Sequence, residues 1–140
     1  MIYCDTSLLV AALARESETE RALAWFESLD GRELCTCGWA LTEFSGAIAM
    51  KTRRRELSAP QRAEIQTSWR ALLDTSLMLI SFPEAAFDLA SRFCEMHGSA
   101  LRAADALHLA VASLGGHSLA TLDKAMADAA VAVGVAIEGI

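Results

Sequence analysis

Four carboxylates stand where an acid is either costly to keep or well placed to react: Asp5, Glu43, Asp105 and Asp123. Asp5 directly follows the apolar Ile2-Tyr3-Cys4 and precedes Thr6-Ser7-Leu8-Leu9, and Asp123 follows Leu119-Ala120-Thr121-Leu122 in the same manner. An Asp after a strand often does no more than cap the next helix, accepting first-turn N–H groups that lack a partner. Glu43 resists so plain a reading. At ~100° per residue, Trp39, Met50, Glu43, Ala47, Ala40, Phe44, Ile48 and Leu41 make one continuous helical arc. Thr42, Ser45, Gly46 and Ala49 fill the more polar side. A Glu on an apolar stripe must be neutral, paired or bound to a cation, and an ion pair with an Arg is the structural alternative. Asp105 sits in Arg102-Ala103-Ala104-Asp105-Ala106-Leu107-His108-Leu109-Ala110, where Arg102 is the nearest structural partner. His108 reads as a packing histidine, because no second His stands at zinc spacing from it.

Two of the acids end strands and two lie within apolar helices, the places from which one pocket at a sheet edge collects side chains. Clustered carboxylates repel and desolvate one another unless a cation neutralises them. An all-oxygen site selects a hard ion, Mg²⁺ or Mn²⁺. Such an ion keeps waters and accepts a phosphate oxygen, the requirement for hydrolysing a phosphodiester. The carboxylates alone do not distinguish RNA from DNA.

The elements that must position these residues are short. Strands are expected at Met1 to Cys4, Glu33 to Thr36, Leu77 to Phe82, Ser118 to Leu122 and Val135 to Ile137. Helical patterns run from about Ser7 to Ala14, Glu18 to Leu29, Trp39 to Arg54, Arg102 to Leu114 and Lys124 to Val133. Ser58-Ala59-Pro60 opens another helix, with Pro at a tolerated first-turn position. A further helix begins at Pro83 and ends near His97-Gly98. Apolar strands alternating with helices predict an α/β fold with a mostly parallel sheet. In such sheets functional groups gather beyond the carboxyl ends of the strands, where Asp5 and Asp123 fall.

Bulk properties bound the answer. The 140 residues suit a single domain, 1–140, and 54% apolar content supplies a sizeable core. A net charge of −6 excludes a generally basic nucleic-acid binder, so a polyanionic substrate needs a local basic patch, bound cations or both. Lys51, Arg53, Arg54 and Arg55 form the only dense basic run, which either guides a nucleic-acid backbone or complements a helix C-terminus. Cys35 and Cys37 are spaced C-x-C while Cys4 and Cys94 stand alone, so neither zinc nor thioredoxin spacing appears. Free cysteines in apolar runs suggest a reduced, cytoplasmic setting. The start has no Lys or Arg before its apolar run and carries Asp5 inside it, against a signal peptide. No uninterrupted apolar stretch is long enough to span a bilayer. Leu8, Leu9, Val10, Leu13, Leu23, Trp25 and Phe26 exceed what one buried stripe uses, which predicts an apolar docking groove on the first two helices.

Met1-Ile2-Tyr3-Cys4-Asp5-Thr6-Ser7, Thr42-Glu43-Phe44, the Arg102–Ala110 segment and Ala120-Thr121-Leu122-Asp123-Lys124 follow in this order along the whole chain. In that order and spacing they resemble the PIN domain, in particular the VapC-like toxins of type II toxin–antitoxin modules. The resemblance implies a PIN-domain fold with a mostly parallel central sheet flanked by helices, binding Mg²⁺ or Mn²⁺ and cutting RNA endonucleolytically. Asp5, Glu43, Asp105 and Asp123 match the family's acidic positions. Asp5 and Asp105 are then the principal metal ligands, Glu43 and Asp123 complete the site, and one of these two takes the proton from the attacking water. Thr121 and, less closely, Ser7 match hydroxyl positions that assist the metal site. Arg102 joins the basic run as a candidate RNA contact. Products with 5′-phosphate and 3′-hydroxyl ends are implied, as are a homodimer, an inhibitory antitoxin and promoter DNA bound only through the antitoxin complex.

Other readings remain. A haloacid-dehalogenase-type phosphatase needs a second Asp two residues after the first, where Ser7 stands. A receiver domain needs an acceptor Asp on a central strand, and Leu77 to Phe82 contains no acid. A PIN-like subunit serving mainly in a DNA-binding regulatory complex would keep the same fold without cutting.

Overall fold

A computed structural model describes residues 1–96 and 101–140. β1 (Ile2–Cys4) leads through α1 (Thr6–Leu13) and α2 (Thr19–Glu27) to β2 (Leu34–Cys37), and α3 (Gly38–Arg53) and α4 (Ala59–Thr75) lead on to β3 (Leu77–Ile80). The chain continues through α5 (Ala85–Glu95), α6 (Ala103–Leu114), β4 (Ser118–Ala120) and α7 (Lys124–Ala132). The strands form one sheet in the order β3-β2-β1-β4, and every pairing is parallel. The expected α/β fold with a mostly parallel sheet is the one observed.

Strand alternation sends neighbouring side chains to opposite faces. Ile2 and Cys4 join one core with Leu8, Leu9, Trp25, Phe44, Ile48, Ile65 and Trp69, drawn from α1 to α4. Tyr3, Cys35 and Leu119 face the other core, with Phe93, Leu109, Val111 and Met126 from α5 to α7. Helices therefore cover both faces, as a parallel sheet requires. From β1 the chain steps outward to β2 and β3, then returns to place β4 on the other side of β1. The reversal opens a crevice beyond the carboxyl ends of β1 and β4.

Three expectations are corrected. The strand expected at Leu77 to Phe82 ends at Ile80, because the chain is turning towards Pro83, which has no N–H for a ladder. Val135 to Ile137 makes only an isolated parallel bridge, Leu119 with Ile137, after a turn at Gly134 with φ of +79°. The apolar groove on the first two helices is filled by the protein itself: Leu8, Leu9, Val10 and Trp25 are buried, Leu13 and Phe26 are partly buried, and only Leu23 is largely exposed. The end expected for α5 near His97-Gly98 lies outside the described residues.

Candidate metal centre

Asp5 is delivered to the crevice by β1, whose main chain continues the sheet as Asp5 N–H donates to Ala120 O at 3.1 Å. It is the N-cap of α1, accepting Leu8 N–H at Oδ1 over 3.1 Å. The capping role weighed from sequence is real, and it coexists with a place in the cleft. The Ser7 hydroxyl lies 2.9 Å from each Asp5 oxygen, and Thr121 Oγ1 donates to Oδ2 at 2.9 Å. These two hydroxyls are themselves anchored, Ser7 by Leu122 N–H at 3.1 Å and Thr121 by Asp123 N–H at 2.9 Å. Asp5 is 1% exposed, and that burial pushes its carboxyl above the usual range despite His108 and the donors that oppose it.

Asp123 caps α7 in the same way, accepting Met126 N–H at 2.9 Å. Asp105 stands in the first turn of α6 and accepts Arg102 N–H at 3.4 Å, a main-chain contact; among the described residues no ion pair joins the two side chains. Burial pushes the Asp105 carboxyl up, and the charges of Asp123 and Glu43 add to the rise. Three helices thus aim their N-termini, the positive ends of their dipoles, at this group of acids.

Glu43 is partly buried on α3 and is paired, as its apolar stripe demanded, but with His108 instead of an Arg. His108 Nε2 lies 2.5 Å from Glu43 Oε2, and Thr6 Oγ1 donates to the same oxygen at 2.7 Å. Burial alone would raise the Glu43 carboxyl, but the bonds from His108 and Thr6 outweigh it and hold the group below its ordinary value. Sequence reasoning missed Thr6 and placed His108 in the core alone. The available signal was spacing, since His108 lies one helical turn beyond Asp105.

Asp5, Glu43, Asp105 and Asp123 line one open cleft of about 310 Å³, with Thr6, Ser7, His108, Ala47, Met50 and Met126 completing its wall. The basic run begins just past Met50, with Lys51 and Arg53 in the last turn of α3 and Arg54 as its C-cap. Lys51 pairs with Glu16 and Glu56, and Arg54 approaches Glu56 at 4.0 Å, whereas Arg53 and Arg55 are exposed. Arg102 is exposed immediately before α6.

The residues fit a hard divalent cation in their chemistry. The donors are carboxylates and hydroxyls, and Asp105 carries the repulsion of Asp123 and Glu43, which a cation would relieve. Among the described residues no three His, Cys, Asp or Glu side chains form a preassembled cage, so binding would draw the acids inward. Zinc spacing is absent here too, and all four cysteines are free, with Cys94 exposed and the others buried.

The PIN domain profile matches residues 2–132, and the chain belongs to that family. Its fold is similar to that of FitAcB from Neisseria gonorrhoeae, with a TM-score of 0.70 and 22% identity over 99% of this chain and 97% of the other. VapC20 from Mycobacterium tuberculosis, described as a sarcin–ricin loop cleaving toxin, gives 0.70 and 18% over 92% and 95%. VapBC2 from Rickettsia felis, bound to a DNA fragment from its promoter, gives 0.73 and 17% over 99% and 98%. At such identities the likeness establishes the fold. No match was found among curated protein sequences.

Proposed function

We propose that the chain is a Mg²⁺- or Mn²⁺-dependent endoribonuclease and the toxin of a type II toxin–antitoxin pair. The observation that carries this reading is the gathering of four carboxylates, from the N-caps of α1 and α7 and from α3 and α6, around one cleft at the sheet's reversal point. Asp5 and Asp105 would hold the ion, with Glu43 and Asp123 completing the site partly through water. When bound, the cation polarises a phosphate oxygen and lowers the pKa of water. Ser7 and Thr121 keep the Asp5 carboxylate in one orientation. Asp123 Oδ1 is committed to Met126 N–H, and its other oxygen is the candidate to accept a proton from attacking water. Glu43, held ionised, adds negative charge that favours the cation over a bare phosphate. Arg53, Arg54, Arg55 and Arg102 would steer the RNA backbone, while Lys51 is already paired with acids.

The partners follow from the same reading: a homodimer in the cytoplasm, with an antitoxin that sets an Arg against the acids and carries the complex to promoter DNA. VapBC2 bound to a promoter fragment supports this by similarity of fold. Among the described residues no helix is long and apolar enough to cross a membrane.

End-labelled single-stranded RNA incubated with Mg²⁺, Mn²⁺ or chelator tests the proposal. Cleavage to 5′-phosphate products with either ion, abolished by chelator and in Asp105→Asn, is the expected result. Undiminished cutting in chelator would refute it. No cutting with any ion would favour a subunit that serves only in a DNA-binding complex.

A further inference from the structure

We propose that His108 is a positioning residue that fixes the Glu43 carboxylate at the cleft, with Tyr3 fixing the imidazole from behind. The inference rests on reading the cleft as a cation site, and it deepens that reading. His108 is 1% exposed and touches both the site and the core. Its Nε2 meets Glu43 Oε2 at 2.5 Å and Thr6 Oγ1 at 3.2 Å, while its Nδ1 meets the Tyr3 hydroxyl at 2.8 Å. Tyr3 is fully buried, and its hydroxyl also lies 3.0 Å from Cys37 Sγ at the end of β2. The line Cys37–Tyr3–His108–Glu43 therefore ties β2, β1, α6 and α3 together.

The direction of the key bond follows from its acceptor. An ionised Glu43 has no proton to give, so Nε2 must donate. The opposite nitrogen faces a phenol that both donates and accepts, so Tyr3 can hold the ring whether or not the imidazole is charged. Burial keeps the Tyr3 hydroxyl protonated. The bonds from Thr6 and His108 both fall on Oε2, so one oxygen of the carboxylate is pinned from two sides. Trp39, one helical turn earlier on α3, adds to His108 and Thr6 in holding the Glu43 carboxyl down. A Glu side chain without such supports has a broad terminal torsion and no fixed direction. Partners that orient a ligating group typically contribute about 10–100-fold in metal affinity or activity.

The test compares His108→Leu, which removes the donor, with His108→Gln, which restores an N–H, and with Tyr3→Phe, which deletes only the rear anchor. Mn²⁺ affinity measured by calorimetry is expected to fall about 10–100-fold in His108→Leu and to recover most of that loss in His108→Gln. Tyr3→Phe, which leaves the imidazole in place, should show a smaller loss. RNA turnover should follow, with kcat reduced and KM little changed. Imidazole ¹⁵N spectra supply a readout independent of catalysis: the Nε2–H proton of His108 should resonate far downfield, shift on Glu43→Gln and stay put on Arg102→Ala. A folded His108→Leu or Tyr3→Phe protein that binds Mn²⁺ and cuts RNA as the wild type does would overturn the proposal. So would an Nε2–H signal indifferent to Glu43→Gln. If wild-type protein shows the Nε2–H signature and the Mn²⁺ dependence on His108 but cuts no RNA, the nuclease reading fails and the positioning role stands.

Discussion

Asp5 serves at once as a helix cap, a hydrogen-bond acceptor for two hydroxyls and a wall of the cleft. Asn caps a helix about as well as Asp, and its amide nitrogen can donate to Thr121 Oγ1. Asp5→Asn should therefore lower cleavage about 100-fold or more, on the scale of losing one preorganised electrostatic group, while its melting temperature in chelator stays level or rises. Asp5→Ala should instead lose ~1 kcal/mol with the cap. The sign of the pH effect follows from the raised carboxyl. A raised folded-state pKa gives stability that is present below the unfolded value, about 3.9 for Asp, and is lost as pH rises through the folded value. Thermal melts in chelator across that range should show the advantage of Asp5→Asn over wild type growing with pH; an advantage that shrinks would contradict the burial argument. At this scale the sequence was informative about acids and weak about their supports. A carboxylate in an apolar stripe announces itself, whereas Thr6 and His108 meet Glu43 only because α1, α3 and α6 converge.

Helix starts were the most legible elements because their signals are local. Ser58 caps α4, its main-chain N–H donates to Gln61 Oε1 at 2.9 Å, and its own Oγ accepts Gln61 N–H at 3.4 Å. Ser58→Ala should cost ~1 kcal/mol in denaturant unfolding and leave RNA cleavage unchanged, since α4 does not line the cleft. Trp69 on the same helix stacks on Phe44 with centroids 4.2 Å apart. Trp69→Ala should cost about 3–5 kcal/mol and loosen α3, which carries Glu43. Strand ends were less legible, because pairing partners lie far away in sequence. Val135 to Ile137 has strand-like residues but finds only Leu119 to pair with. The apolar surplus of α1 and α2 misled for a related reason: α1 packs against α2, α3 and α4 together, so more than one stripe is buried.

For the whole molecule, a net charge of −6 opposes a polyanion, so the proposed RNA substrate would be held through a bound cation and local arginines. Replacing Arg53, Arg54 and Arg55 together by Ala should reduce the salt dependence of RNA binding, flattening the log–log slope by about 2 if all three meet phosphates at ~0.7 per contact. Fluorescence anisotropy at several salt concentrations reads that slope, and an unchanged slope would assign the run to helix termination alone. The central claim, that Asp5, Glu43, Asp105 and Asp123 together hold a catalytic cation, is tested most directly by anomalous diffraction from crystals soaked in Mn²⁺. A peak inside the cleft with Asp5 and Asp105 oxygens as direct ligands is the expected result. A clean map with no peak there, or one whose Mn²⁺ lies only at other acids, would contradict it.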